Sequence, residues 1–212
     1  MSTPSGPRSI KISNDERGGW SSDRPRREGA PPRPADVSVR SRVLRPADRL
    51  RYTPGSLVVL VSTARAERDR FAERVLEDRA VLLSLDRVRA LLAGRVPDEE
   101  IEARADELLD AAVGKRLTAN QSVVLAADGL DAAERERFVR LAARAQRPRH
   151  LILLEHGRDQ VAEEDRAVLN ELRRALDAGE LGAEGFHTVL RLGGTAISEV
   201  KRVLFRPPPR DE

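Results

Sequence analysis

Residues 57–76 read LVVLVSTARAERDRFAERVL. Five dry residues, Leu57-Val58-Val59-Leu60-Val61, are short enough for a strand buried on both faces. A polar turn follows over 62–69, and apolar residues then recur at helical spacing through Phe71, Ala72, Val75 and Leu76. Strand, turn and helix in this order form the layout that holds a phosphate loop in many α/β proteins. Here the turn, Ser62-Thr63-Ala64-Arg65-Ala66-Glu67-Arg68-Asp69, contains no glycine and no lysine.

Downstream, the same alternation repeats. Apolar runs AVLLSL (80–85), SVVLAA (122–127), HLILLE (150–155) and HTVLRL (187–192) read as further strands. Helical stripes lie between them: 66–76, 85–93, 98–117, 131–145 with Asp131 as its expected cap, and 163–176. A short helix is expected around 198–204. Alternation of this kind predicts a doubly wound parallel sheet of about five strands with helices on both faces, an α/β/α sandwich. The first strand, apolar throughout, belongs at its centre. Ligands of such sheets sit beyond the carboxyl ends of the strands, so the 62–69 turn faces the ligand crevice.

The first fifty residues have a different character. They hold seven of the thirteen prolines and too few apolar residues to offset chain entropy, so residues 1–52 are expected to be a disordered tail. Residues 1–56 carry a net charge of +6, which leaves about −3 for the rest of the +3 chain. The basic character therefore belongs to the tail, which could touch nucleic acid or an acidic partner. Trp20, the one tryptophan, sits there as a possible docking anchor. Residues 53–205 are the expected domain and 206–212 a second short tail. Lysine is confined to Lys11, Lys115 and Lys201, which indicates arginine-rich coding and weakens arguments from arginine number alone.

Absences narrow the chemistry. Without cysteine there are no disulfides, thiolate zinc sites or thiol nucleophiles. Three scattered histidines, His150, His156 and His187, make no metal set, and each reads as a strand-end residue. No apolar run approaches the ~20 residues of a membrane span, and no secretory signal is visible, so a cytoplasmic location is expected.

The residues also carry a family resemblance. TPGSLVVLV (53–61) with Phe71-Ala72, Ser84-Leu85-Asp86 with Arg89, ADELLDAAVGKRL (105–117), SVVLAADGLDAAER (122–135) and EGFHTVLRL (184–192) resemble small P-loop kinases. The likeness is above all to the kinase domain of bacterial polynucleotide kinase–phosphatase and the zeta-toxin and AAA-like kinase group. It implies a P-loop-NTPase-like fold and a site for ATP and Mg²⁺. In register with that family, the glycine positions fall on Ser62, Arg65 and Glu67, the lysine on Arg68 and the Mg²⁺-binding hydroxyl on Asp69. Glycine there lets backbone N–H groups close on phosphate. Arginine is no simple substitute for the lysine. Two carboxylates at ~4 Å from a phosphate charge cost about 4 kcal/mol each at an effective dielectric near 20, roughly the whole of a micromolar affinity.

The family carboxylate of the third strand falls on Leu125, with Asp128 nearby as a turn cap. The arginine-bearing lid is reduced to Arg158. What remains is Asp86 with Arg89, which the resemblance assigns as general base and phosphate contact. By local structure alone the pair could equally cap a helix and form an i,i+3 ion pair. The expected function is a non-catalytic, pseudokinase-type binding or scaffolding module with a vestigial phosphate loop, no competent ATP site, no metal site and an unknown protein partner. The alternatives are an active ATP-dependent phosphotransferase using Asp86, and nucleic-acid binding through the tail.

Overall fold

A computed structural model describes residues 37–157 and 161–207. Trp20, Arg158 and most of the basic tail lie outside the described residues. Among the described residues there are eight strands and six α-helices. The main sheet has six parallel strands: β1 (Arg42–Leu44), β3 (Leu57–Ser62), β4 (Leu82–Ser84), β5 (Val123–Ala126), β6 (Arg149–Glu155) and β7 (Thr188–Gly193). Their order is β1-β7-β6-β3-β5-β4. β3 is central, with Val58 beside Val124 on one flank and His150 on the other. The chain first fills the β5-β4 side and then crosses β3 to build β6 and β7. The direction of winding therefore reverses at β3, and a crevice opens beyond its carboxyl end.

The alternation of β3 divides the core. Leu57, Val59 and Val61 point into one cluster with α3 (Asp98–Thr118), α4 (Ala132–Arg144) and α5 (Glu163–Asp177). Val58 and Leu60 point to the other face, against Phe71, Ala72 and Val75 of α1 (Arg65–Val75). The five apolar side chains of β3 are at most 1% exposed, and each such burial is worth ~1.5–3 kcal/mol. Helix α2 (Leu85–Leu92) leads from β4 towards α3.

Three expectations on extent and type change. The main sheet has six strands, because Arg42–Leu44 pairs with Thr188–Leu190. A separate two-stranded parallel sheet joins β2 (Arg49–Tyr52) to β8 (Arg202–Phe205). Residues 37–52, read as tail, thus belong to the folded part: Val39 N–H donates to the Gly182 carbonyl, and Leu50 and Tyr52 are buried. The helix expected around 198–204 is instead α6 (Thr195–Glu199) followed by β8. Among the described residues no helix is long and apolar enough to cross a membrane.

Candidate functional site

The crevice beyond β3 is bounded by the β3–α1 connection, the start of α2, the β5–α4 loop and the end of β6. β3 ends at Ser62 and α1 begins at Arg65, so Thr63 and Ala64 alone form the connection. Ser62 Oγ accepts from the Ala64 N–H at 3.1 Å and tightens this turn. Arg65 and Glu67, expected in a loop, lie in the first turn of the helix. The Arg68 N–H is already committed to the Ala64 carbonyl.

Arg68 is 0% exposed. Its Nε donates to Asp69 Oδ1 at 2.9 Å, Nη2 lies 2.8 Å from the same oxygen, and Nη1 donates to the Ala127 carbonyl. A buried guanidinium is stable only when paired and hydrogen-bonded; the neighbouring carboxylate and the last carbonyl of the β5 end supply both. Arg68 therefore ties α1 to the end of β5. Glu67 pairs one turn on with Arg70.

A second ion-pair group spans the crevice mouth. Arg89 contacts Asp86 at 2.7 Å, Glu102 at 2.7 Å and Asp128 at 3.4 Å, and Asp128 also holds Arg65 at 3.1 Å. The hydrogen bond to Glu102, with Asp86 and Asp128 adding, keeps Arg89 more firmly protonated than an ordinary arginine. The expected Asp86–Arg89 i,i+3 pair is present, but Asp86 does not cap α2. Ser84 does, accepting from the Arg87 N–H. Asp131 likewise does not cap α4 through its side chain. Instead Glu134 reaches back to the N–H groups of Asp128 and Gly129, at 2.8 and 3.1 Å.

The structure thus brings Arg65, Arg68, Asp69, Asp86 and Arg89 to one end of the sheet, with Asp128 and Glu102 as members that the sequence reading did not place there. A cavity of about 210 Å³ beside them is lined by Asp69, Glu73, Ser84, Asp86 and Arg87 among others. Its carboxylates are engaged: Asp69 with Arg68, Asp86 with Arg89, and Glu73 with Arg87 at 3.7 Å. Among the described residues, no group of three or more His, Asp or Glu could hold a metal ion. At the end of β6, Glu155 is held by Arg173 and Arg191, so this carboxylate too is neutralised from within.

The histidines lie away from this cluster, except His156 just past β6. His150 packs 4.5 Å from the Tyr52 ring and its Nδ1 contacts Thr188 Oγ1 at 2.8 Å. Burial, with His187 adding repulsion, pushes its pKa down to about 3. His187 Nδ1 accepts from the Arg149 N–H. Both sit at the amino ends of their strands, facing away from the crevice.

A family model described as "AAA domain" matches residues 68–176, just over half of the chain. Its match begins at Arg68, within the first turn of α1. No curated protein matches. One similar solved structure, a "putative kinase" from Chloroflexus aurantiacus, is 15% identical, with a TM-score of 0.43 over 69% of this chain and 88% of that one.

Proposed function

We propose, from the premise that this chain belongs to the AAA-domain family of P-loop kinase-like proteins, that it uses the scaffold as a non-catalytic binding or scaffolding module without a competent ATP site. The observation that carries this reading is the committed state of Arg68. Its amide is bound within α1 and its guanidinium is buried between Asp69 and the Ala127 carbonyl. A phosphate loop works by presenting free amides and a free cation to the anion. Here the helix begins three residues before the position of the phosphate-binding lysine, so the segment that would curl around a β-phosphate is helix instead. The amides left free at its start belong to residues 65–67, and Glu67 stands among them.

The remaining ionic groups support the same reading. Arg65 and Arg89, two further cations at the crevice, are held by Asp86, Glu102 and Asp128. A triphosphate would have to displace these carboxylates and leave them beside its own charge, at about 4 kcal/mol for each close pair near the surface. A partner surface of mixed charge can exchange pairs with the network without that cost. The vestigial phosphate position, Ser62 to Asp69, is then a structural joint between β3, α1 and β5.

Phosphotransfer with Asp86 as base is the competing function, and one assay separates the two. The full chain is incubated with γ-labelled ATP, Mg²⁺ and an oligonucleotide bearing a 5′-hydroxyl, the acceptor suggested by the resemblance to polynucleotide kinase. The expected result is no label transfer above an Asp86→Ala control. Transfer that the Asp86→Ala change abolishes would refute the non-catalytic reading.

A further inference from the structure

The arginines of residues 37–52 differ from those of the crevice in having few counter-charges. Residues 1–56 carry a net charge of +6, and residues 37–52 hold +4 of it: Arg40, Arg42, Arg45, Arg49 and Arg51 against Asp48 alone. These residues are folded, so most of that basic character sits on the structured surface and not in the tail. All five arginines are exposed. Among the described residues one of them, Arg49, has a carboxylate partner, Asp48 at 3.7 Å.

β2 and β8 gather this charge on one surface. Side chains alternate along a strand. Leu50 and Tyr52 of β2 and Val203 of β8 turn inward against α1 and the main sheet. The Phe205 ring lies on the same side, 6.2 Å from that of Tyr52. Arg49 and Arg51 therefore point outward, as do Arg202 and, one step past β8, Arg206, and all four are exposed. The parallel register sets Arg49 directly beside Arg202, and like charges opposed across a ladder are destabilising. Two carboxylates answer the four guanidinium groups. Asp48 holds Arg49, and Glu77 is shared between Arg202 at 3.0 Å and Arg206 at 3.6 Å. Arg51 has no carboxylate among the described residues, so the face keeps more cations than anions.

The make-up of the face selects its partner. Outward residues repeat about every 6.6 Å along a strand, and the two strands lie about 4.8 Å apart, so the guanidinium groups form a short, rigid array. No exposed large apolar side chain stands among them: Leu204, beside Arg51, is 7% exposed. An anionic bilayer or the core of a protein interface would engage such side chains. Tyr52 and Phe205 face inward, which leaves no aromatic platform for the stacked bases of a single strand. The inner face of the ribbon is packed, so the ribbon cannot enter a major groove to read base edges. A regular line of phosphates met from one side fits what remains, and the planar fork of arginine suits phosphate. We propose that the outward face of β2 and β8 binds the phosphate backbone of a nucleic-acid duplex, without regard to its sequence. None of these residues is among those around the crevice, so the proposal stands apart from the reading of the ATP site.

Fluorescence anisotropy of the full chain with a labelled DNA duplex of about two turns and arbitrary sequence tests it. With about three phosphates engaged, affinity should fall roughly 40-fold between about 50 and 200 mM salt. Arg49→Gln combined with Arg51→Gln should lower the salt slope by about two and weaken binding by more than about 10-fold at the lower salt. Arg95→Gln combined with Arg166→Gln removes the same charge from exposed positions elsewhere and should change neither. Arg49→Lys combined with Arg51→Lys keeps the charge and should retain the slope, which separates loss of contact from loss of fold. The proposal is overturned by an absence of salt-dependent binding, by an unchanged slope in the Arg49 and Arg51 glutamine variant, or by an equal loss in the Arg95 and Arg166 variant. Failure of the lysine variant to bind, or tighter binding at the same salt to a polyglutamate peptide or to phosphatidylserine vesicles, overturns it too.

Discussion

The two ends of the central sheet satisfy their polar groups in different ways. At the carboxyl end the arginines nearest β3 are answered by carboxylates or a carbonyl: Arg68 by Asp69 and Ala127, Arg89 by three acids, Arg65 by Asp128. At the amino end, Tyr52 Oη, His150 Nε2 and Arg149 Nε are buried without a hydrogen-bond partner; at the carboxyl end His156 Nε2 and Arg68 Nη2 are, the latter 2.8 Å from Asp69 Oδ1. In α/β sheets the carboxyl end is ordinarily the one kept open for a ligand. Here the charges around the crevice are neutralised from within, whereas Arg149 at the opposite end has no ion pair among the described residues. A ligand-binding end needs groups whose partners arrive with the ligand, and a self-paired end has exchanged that capacity for rigidity.

The contrast can be broken most directly at Arg68. Replacing it with leucine removes the tie between α1 and the β5 end and strands the Ala127 carbonyl, and should cost about 3 kcal/mol of stability in urea unfolding. A lysine-equivalent poised for phosphate would leave stability nearly unchanged on removal, so a small effect would contradict the structural role.

A Gly182→Ala change probes whether residues 37–52 are part of the fold. A Cβ there would lie 2.3 Å from the Val39 carbonyl oxygen, a backbone atom that cannot rotate away. About 2 kcal/mol of destabilisation is expected by the same measurement. An unchanged unfolding midpoint would return residues 37–41 to the tail.

His150 sharpens the amino-end half of the comparison through pH. Burial holds its folded pKa at about 3, below the ordinary value near 6.5. The fold thus keeps the neutral ring, whereas the unfolded chain takes up a proton first. This contribution to stability is complete above about pH 6.5 and is lost as pH falls from there towards 3, at about 1.4 kcal/mol per pH unit. His150→Phe should flatten that part of the acid limb of the stability curve. An unaltered limb would locate the pH dependence elsewhere.

The smallest effect is expected at Arg89. Its side chain is 26% exposed, and two of its partners, Asp86 and Glu102, are about half exposed or more. Solvent screens such pairs, and Arg89→Ala should cost no more than about 1 kcal/mol. A loss like that at Arg68 would show the crevice mouth to be a core element.

Much of the architecture was legible because its signal is local. The five apolar runs and the helical stripes predict their elements to within a residue or two, and the uniform dryness of 57–61 places that strand at the centre. β1, β2 and β8 were not legible. RVL, RLRY and RVLF are short and arginine-bearing, their exposed positions resemble a polar tail, and β1 and β2 pair with residues about 150 positions away. In the crevice, Asp86 and Arg89 were visible as an i,i+3 pair. Asp128 and Glu102 were not, because they reach Arg89 from 39 and 13 residues away. One signal did stand in the sequence: Asp131 and Glu134 have capping-box spacing, which marks Glu134 as a group that reaches backwards, although it goes past Asp131 to Asp128 and Gly129. The burial of Arg68 had no such mark, since an arginine in a polar turn reads as solvent-facing until β5 is packed beside it.

The central claim is that the former phosphate position has become a structural joint. Isothermal titration calorimetry of the full chain with ATP and Mg²⁺ tests it most directly. The account predicts no saturable heat up to millimolar nucleotide. A Mg²⁺-dependent dissociation constant in the micromolar range, lost on Arg68→Ala substitution in a chain that remains folded, would contradict it.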